Sequence, residues 1–155
     1  MKKIAFIFMA LISGSAFAQS ATANANADIV SPISISKTGD LNFGKVSNNA
    51  AGTVVIANDG SASGLTQIGS TTPTAASFEV TAASGFAYTV TTPTSVTLSN
   101  GTDNITVDTF TDDAGANPSG TGSAQTVNVG ATLNVASGQA TGNYTGTFDV
   151  SVAYE

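Results

Sequence analysis

The chain has 155 residues, of which 41% are hydrophobic and only 9% are charged, and it contains no Cys, no His and no Trp. The missing residue types exclude Ser-His-Asp and Cys-His nucleophilic chemistry, imidazole and thiolate metal sites, and disulfides. A chain of this length is expected to form one domain, or at most a small domain plus an extension. It can bury roughly 68–70% of its unfolded surface and so can fold on a hydrophobic core alone.

Residues 1–18 have the pattern of a bacterial secretory signal peptide. Met1 to Lys3 supply positive charge, residues 4–12 form an apolar run, and Ala16-Phe17-Ala18 is a small-x-small cleavage site. The run is too short to span a bilayer. We therefore expect export across the inner membrane of a Gram-negative-type bacterium, cleavage after Ala18, and no membrane insertion afterwards.

The charge balance excludes polyanionic partners. Loss of Lys2 and Lys3 with the leader changes the net charge from −6 to −8 and leaves Lys37 and Lys45 as the only basic residues. Two cations cannot neutralise a phosphate backbone, and an anionic bilayer surface repels an acidic chain. Nucleic acid is therefore not an expected partner.

Alternation of apolar and polar residues predicts an all-β fold in the rest of the chain. Ser, Thr, Asn, Gly, Ala and Val dominate, and helix-favouring residues are scarce, so we predict strands and turns with no helix. The residues predicted to face a core are Phe78, Val80, Ala82; Phe86, Tyr88, Val90; Val96, Leu98; Ile105, Val107; and Val127, Val129, Ala131, Leu133, Val135. Turn signals between these runs have the spacing of a sandwich or barrel.

Two of the turn signals are specific. Asp59-Gly60 marks one turn, and Asn100-Gly101 predicts a hairpin between Val96–Leu98 and Ile105–Val107, because Asn-Gly accepts positive φ at both central positions. Residues 112–123 contain Gly115, Pro118, Gly120 and Gly122 and are expected to form a long surface loop.

Short matches to catalytic motifs lack the context that their chemistry needs. Ser34-Ile35-Ser36-Lys37 and Lys37-Thr38-Gly39 match two motifs of penicillin-binding enzymes, but they share one lysine and lie on a predicted strand instead of opening a helix. Asp112 and Asp113 fit no calcium loop, and a solvated loop is favoured. A glycosidase-type pair of carboxylates from distant positions stays open. We expect no enzyme activity, no catalytic residue, no metal and no cofactor.

The last thirteen residues before Glu155 alternate strictly, which predicts a long terminal strand with one apolar face. An unpaired edge on such a strand favours association with another chain. The inward positions are Gly142, Tyr144, Gly146, Phe148, Val150, Val152 and Tyr154.

This end resembles the subunits of bacterial chaperone-usher pili, whose last strand has a penultimate Tyr and a Gly fourteenth from the end. Tyr154 and Gly142 occupy these positions. Residues from about 27 to 154 also resemble an uncharacterised family of exported bacterial β-sandwich domains. The resemblance lies in Pro32-Ile33-Ser34-Ile35, Leu41-Asn42-Phe43-Gly44, Gly52-Thr53-Val54-Val55-Ile56 and Ala140-Thr141-Gly142-Asn143-Tyr144-Thr145-Gly146.

The resemblance implies an immunoglobulin-like antiparallel β-sandwich of about seven to nine strands over residues 29–155, in which the pilin type lacks one strand. A chaperone, and then the N-terminal extension of a neighbouring subunit, would supply that strand. Residues 19–28 are the candidate extension, or else a disordered leader or the start of the first strand. The positions of this segment and its junction that would face the neighbour are Ala21, Ala23, Ala25, Ala27 and Ile29.

The expected function is that of a structural subunit of a surface pilus or fimbria. Its implied partners are further copies of the chain, a periplasmic chaperone and an outer-membrane usher, and it would pass through the periplasm to the cell surface or the medium. The alternative is a monomeric secreted or surface module that binds a glycan or a protein.

Overall fold

The computed structural model describes residues 19–155, so the predicted signal peptide, residues 1–18, lies outside the described residues. The described part of the chain contains nine strands and no helix, and hence no helix that could cross a membrane. The strands are β1 Ser34–Gly39, β2 Gly52–Ile56, β3 Ala62–Gly64, β4 Ala76–Thr81, β5 Tyr88–Thr91, β6 Ser95–Ser99, β7 Asn104–Asp112, β8 Ala124–Val135 and β9 Ser151–Tyr154. The fold is an all-β antiparallel sandwich, as the alternation predicts.

Seven strands form the larger sheet, which is organised around β8. Val129 of β8 pairs with Ala76 of β4 on one edge and with Asp112 of β7 on the other. Further along β8, β2 replaces β4 on the first edge, while β7 continues on the second. The outer strands of this sheet are β1, which pairs with β4, β3, which pairs with β2, and β6, which pairs with β7.

The alternation of β8 supplies the centre of the core. Its alternate residues Val127, Val129, Ala131, Leu133 and Val135 are all buried, as predicted. In the antiparallel pairing these side chains lie beside the buried residues of β2, β4 and β7, so one face of the larger sheet is continuously apolar.

The second layer covers this face in two parts. The two-stranded sheet β5–β9 packs Tyr88, Val90, Val152 and Tyr154 against Val80 of β4 and its neighbours. Two segments outside the named strands, residues 41–48 and residues 140–150, cover the other part with Leu41, Phe43, Tyr144 and Phe148, among others. These two segments form the candidate site.

The hairpin predicted at Asn100-Gly101 is present, but its turn is longer than a two-residue loop. Val96 pairs with Val107, and Leu98 pairs with Ile105, while Asn100 to Asp103 connect the strands. Only Gly101 of the Asn-Gly pair has a positive φ, +97°. The Asn100 side-chain oxygen accepts hydrogen bonds from the backbone N–H groups of Thr102 and Asp103 and so closes the larger turn.

Two expectations from alternation are wrong. Phe86 is 44% exposed because β5 begins only at Tyr88, and the Phe86 ring packs edge-on against Tyr154. The long terminal strand is reduced to Ser151–Tyr154 and an isolated bridge between Thr145 and Ser99. Residues 146–150 have no ladder partner among residues 19–155, although their alternation of apolar and polar residues continues.

Candidate functional site

The first flank of the site is the segment from Leu41 to Asn48, which uses its outer backbone edge. Asn42 donates its N–H to the Thr74 carbonyl and accepts from the Thr74 N–H, both at 2.9 Å. In an extended chain, successive residues direct their N–H and C=O groups to opposite edges. The backbone groups of Leu41 and Phe43 therefore point to the other edge, away from Thr74.

The second flank, residues 140–148, has the same arrangement. Thr145 exchanges both backbone hydrogen bonds with Ser99 of β6, at 2.9 and 3.0 Å. The backbone groups of Tyr144 and Gly146 consequently point away from β6. Gly146 lies so close to β6 that a Cβ atom there would lie 2.8 Å from the Thr97 carbonyl oxygen.

An apolar groove of about 650 Å³ lies between the two flanks. The core-facing side chains of β6, β7 and β8 that line it are Val96, Leu98, Ile105, Val107, Leu133 and Val135. Val96, Leu98, Phe110, Tyr144 and Phe148 are only partly buried. The second layer is thus open where one more strand would cover the larger sheet.

The flanks are joined at one end of the groove by side-chain hydrogen bonds and one backbone hydrogen bond. Asn48 donates from Nδ2 to the Gln139 carbonyl at 2.7 Å, and its own carbonyl accepts from the Gly138 N–H at 3.0 Å. Gln139 in turn donates from Nε2 to the Tyr144 hydroxyl at 2.9 Å. This end is therefore fixed by hydrogen bonds. The first flank ends here and the second begins here, so the two flanks are antiparallel in chain direction.

The chain matches one family model, described as a domain of unknown function, DUF4402, over residues 33–154. It belongs to the DUF4402 family. No curated protein and no solved structure matches the chain. The DUF4402 match includes both groove flanks and all nine strands, and it begins after residues 19–32.

The C-terminal residues of the predicted site lie along the inner side of the DUF4402 domain. Gly142, Tyr144 and Phe148 line the groove. Val150 packs beside Phe148, and Val152 and Tyr154 pack in the part of the core under β5. The outward residue Asp149 is exposed. Gly142 faces Asn100 of the same chain, because a Cβ atom there would lie 3.1 Å from the Asn100 amide nitrogen.

Tyr154 connects the two ends of the described chain. Its hydroxyl donates to the Ser31 carbonyl at 2.9 Å and accepts from the Ala83 N–H at 2.7 Å. Ser31 lies three residues before the first strand, so this contact fixes where the N-terminal segment leaves the domain.

The N-terminal residues of the predicted site are not brought to the groove of their own chain. Residues 19–29 have no secondary structure and all are exposed, and Ile29 is 98% exposed. Ala21, Ala23, Ala25 and Ala27 therefore have no packing partner in the core of the domain.

Metal-ligating side chains form no cluster among residues 19–155. No group of three His, Cys, Asp or Glu residues is placed there to hold a metal. The ion pair of this part of the chain joins Lys37 Nζ to Asp40 Oδ1 at 2.6 Å, on the surface. Ser34 and Lys37, which carry the penicillin-binding match, lie on strand β1.

A second cavity, of about 520 Å³, lies at the turn that follows β2. Asn58 and Asp59 line it together with Thr109 and Thr111 of β7. Thr109 sits at a bulge of β7 with φ of +50°, an unusual conformation for a β-branched residue. This cavity is wide open to solvent.

Sequence reasoning missed the first flank. Leu41, Phe43 and Val46 pack against the core, but Gly44 and the exposed Lys45 interrupt their alternation. Gly44 has φ of +75°, which bends the flank at that point. The run of Leu41-Asn42-Phe43-Gly44 was the available signal, since its apolar residues lie two apart before a glycine.

Proposed function

We propose that this DUF4402 chain is a structural subunit of a surface pilus or fimbria that assembles by strand complementation, as the subunits of chaperone-usher pili do. The observation that carries the proposal is the groove between residues 41–48 and 140–148, because Asn42 and Thr145 form their backbone hydrogen bonds on the sides that face away from it. An extended peptide inserted there would complete the second layer by backbone pairing and would cover the exposed apolar residues.

The extension at residues 19–28 has suitable length and pattern for this insertion. The first flank has eight residues, from Leu41 to Asn48, or about 26 Å of extended chain, and the ten residues of the extension reach about 33 Å. Its inward positions are small, so most of the affinity would come from backbone hydrogen bonds rather than buried area. Four Ala side chains two residues apart fit a groove already narrowed by Tyr144 and Phe148.

The extension of the same chain does not lie in its own groove. Tyr154 holds Ser31 three residues before β1, whereas the first flank begins ten residues later, at Leu41. Residues 19–29 are all exposed, and none of them lines the groove of their own chain. A second copy of the chain is therefore the proposed donor.

An exported subunit with an open apolar groove would need partner proteins before and during assembly. Before assembly, a periplasmic chaperone would cover the apolar lining, and an outer-membrane usher would bring successive subunits together. The subunit would end in the surface fibre, and its role would involve no catalysis.

The test compares full chains with the same new charge on opposite faces of the extension. In Ala25→Asp the carboxylate points into the groove, where burying it unpaired is costly. In Asn26→Asp it points to solvent. We expect multimers resistant to mild heating from the unchanged chain and from Asn26→Asp, and monomers or chaperone complexes from Ala25→Asp, as measured by gel mobility of cell-surface extracts.

Deletion of residues 19–28 should also leave monomers or chaperone complexes. Multimers that persist after this deletion would refute the donor assignment. An unchanged chain that remains monomeric at high concentration without a chaperone would favour the alternative function, a binding module. The open cavity beside Thr109, which Asn58 and Asp59 also line, would then be the first site to probe with glycans.

A further inference from the structure

The described chain has very few positive charges available to a partner. Lys37 and Lys45 are the basic residues of residues 19–155, against ten acidic residues. Lys37 is already paired with Asp40. Two copies of so acidic a chain repel each other at long range, so the position of the remaining cation bears on how they meet.

That remaining cation lies on the first flank of the groove. Lys45 is among the residues that border the groove, and it is exposed. Its backbone carbonyl accepts from the Ile68 N–H at 2.7 Å, which holds the flank at this position. Its side chain forms no ion pair with any residue of the described chain.

The extension carries one charge of the opposite sign. Asp28 is the only charged residue among residues 19–36, and it is exposed. It alternates with Ala27 and Ile29, so when these two face the groove, the Asp28 carboxylate faces solvent. Lys45 is on the same solvent side, because it is exposed on its flank.

We propose that Asp28 of one copy pairs with Lys45 of the next and thereby sets the direction and register of the inserted strand. The inference rests on the proposed function. With Asp28 opposite Lys45, residues 24–27 lie beside Leu41 to Gly44, and residues 19–23 extend past the first flank. The inserted strand is then parallel to the first flank and antiparallel to residues 140–148.

The ion pair determines the direction and register of the inserted strand more than its binding affinity. An exposed ion pair adds little affinity, whereas reversal of the strand would leave Asp28 at the far end of the flank, away from the available cation. Four nearly identical Ala positions define the register weakly, because a shift by two residues places Ala on Ala. The opposite charges of Asp28 and Lys45 favour one of these otherwise equivalent registers.

The test is a charge exchange in full chains, measured as the concentration at which half of the protein is multimeric. We expect Lys45→Glu alone and Asp28→Lys alone to weaken assembly about three- to tenfold at low ionic strength, with most of the difference lost in molar salt. The chain with both changes restores the opposite charges and should assemble like the unchanged chain. Lys37→Glu is the matched control, since it makes the same charge change away from the groove.

The outcomes separate the pair from the assembly mechanism. If Lys45→Glu and Lys37→Glu weaken assembly equally, or if the doubly changed chain is no better than either single change, the pair is refuted while strand complementation stands. If the unchanged chain does not assemble, the proposed function fails and the pair with it.

Discussion

At the scale of single residues, Tyr154 stabilises the domain through the hydrogen bonds of its hydroxyl as well as through the packing of its ring. The ring packs against Phe86, and the hydroxyl joins the Ser31 carbonyl to the Ala83 N–H. The terminal strand, the root of the extension and the turn before β5 therefore meet at one atom. Removing that atom leaves a backbone donor and a backbone acceptor without their partners.

Tyr154→Phe should accordingly lower the free energy of unfolding by about 1–3 kcal/mol, the usual cost of leaving partly buried polar groups without a hydrogen-bond partner. The ring and its contact with Phe86 are kept, so packing is nearly unchanged. Asp149→Ala, on the exposed side of the same segment, is the control and should change stability by less than about 0.5 kcal/mol. Denaturant midpoints measure both, and equal midpoints would contradict the role given to the hydroxyl.

Tyr88 gives the domain a dependence on alkaline pH. It is 1% exposed, and burial raises the pKa of its hydroxyl above the ordinary value. The folded state then keeps its proton at pH values where the unfolded state loses it. The contribution of Tyr88 to the free energy of unfolding is fully present below the pKa of the unfolded state, about 10. It is lost as the pH rises from there through the pKa of the folded state.

An ultraviolet titration of tyrosinate should therefore contain a delayed phase, due to Tyr88, above the ordinary tyrosine pKa of about 10. Tyr88→Phe should remove the delayed phase. A titration of the folded protein that is unchanged by Tyr88→Phe above about pH 10 would contradict the burial of Tyr88.

At the scale of elements, β8 depends on a glycine where its neighbour changes. Gly130 lies between the part of β8 that pairs with β4 and the part that pairs with β2. A Cβ atom there would clash with the Ile56 carbonyl oxygen and lie 2.9 Å from the Ala57 carbonyl carbon. Both are backbone atoms, which cannot turn aside as a side chain can.

We expect Gly130→Ala to reduce the free energy of unfolding by about 1–3 kcal/mol through this overpacking. Gly39→Ala in β1 is the matched control, because its Cβ would meet Ser77 Cβ at an ordinary 3.4 Å. The control should be neutral or slightly stabilising. Chemical denaturation of both variants distinguishes the clash from a general effect of replacing a strand glycine.

The elements that the sequence predicts well are those with complete local patterns. The alternation in β4 and β8 is uninterrupted, so it identifies both strands and their buried faces. Phe86 fits the same pattern but precedes the start of β5, and periodicity does not show where pairing begins. The groove could not be predicted from local patterns. It depends on the folded positions of Leu41–Asn48 and residues 140–148, which are far apart in the sequence.

At the scale of the whole molecule, the groove leaves the sandwich incomplete and therefore open to stabilisation by a ligand strand. A peptide that binds only the folded state stabilises it by about 2.7 kcal/mol at a hundred times its dissociation constant. The floor of the groove belongs to β6, β7 and β8, so its occupant would stabilise the centre of the larger sheet.

A peptide with the sequence of residues 19–29 should consequently raise the Tm of the full Ala25→Asp chain by several degrees in a concentration-dependent way. The same peptide carrying Asp in place of Ala25 is the control and should have no effect. Equal shifts from the two peptides would indicate nonspecific association with the apolar lining.

The scarcity of lysine has a consequence for proteolysis. Trypsin cuts after Lys or Arg, and residues 19–155 offer it only Lys37 and Lys45. Lys37 is paired with Phe78 inside strand β1, so cutting there requires the larger sheet to open. The bond after Lys45 lies on a flank held along one edge only, and an inserted strand would hold its other edge as well. The rate of tryptic cleavage after Lys45 therefore reports directly whether the groove is filled, in isolated subunits and in assembled fibres alike.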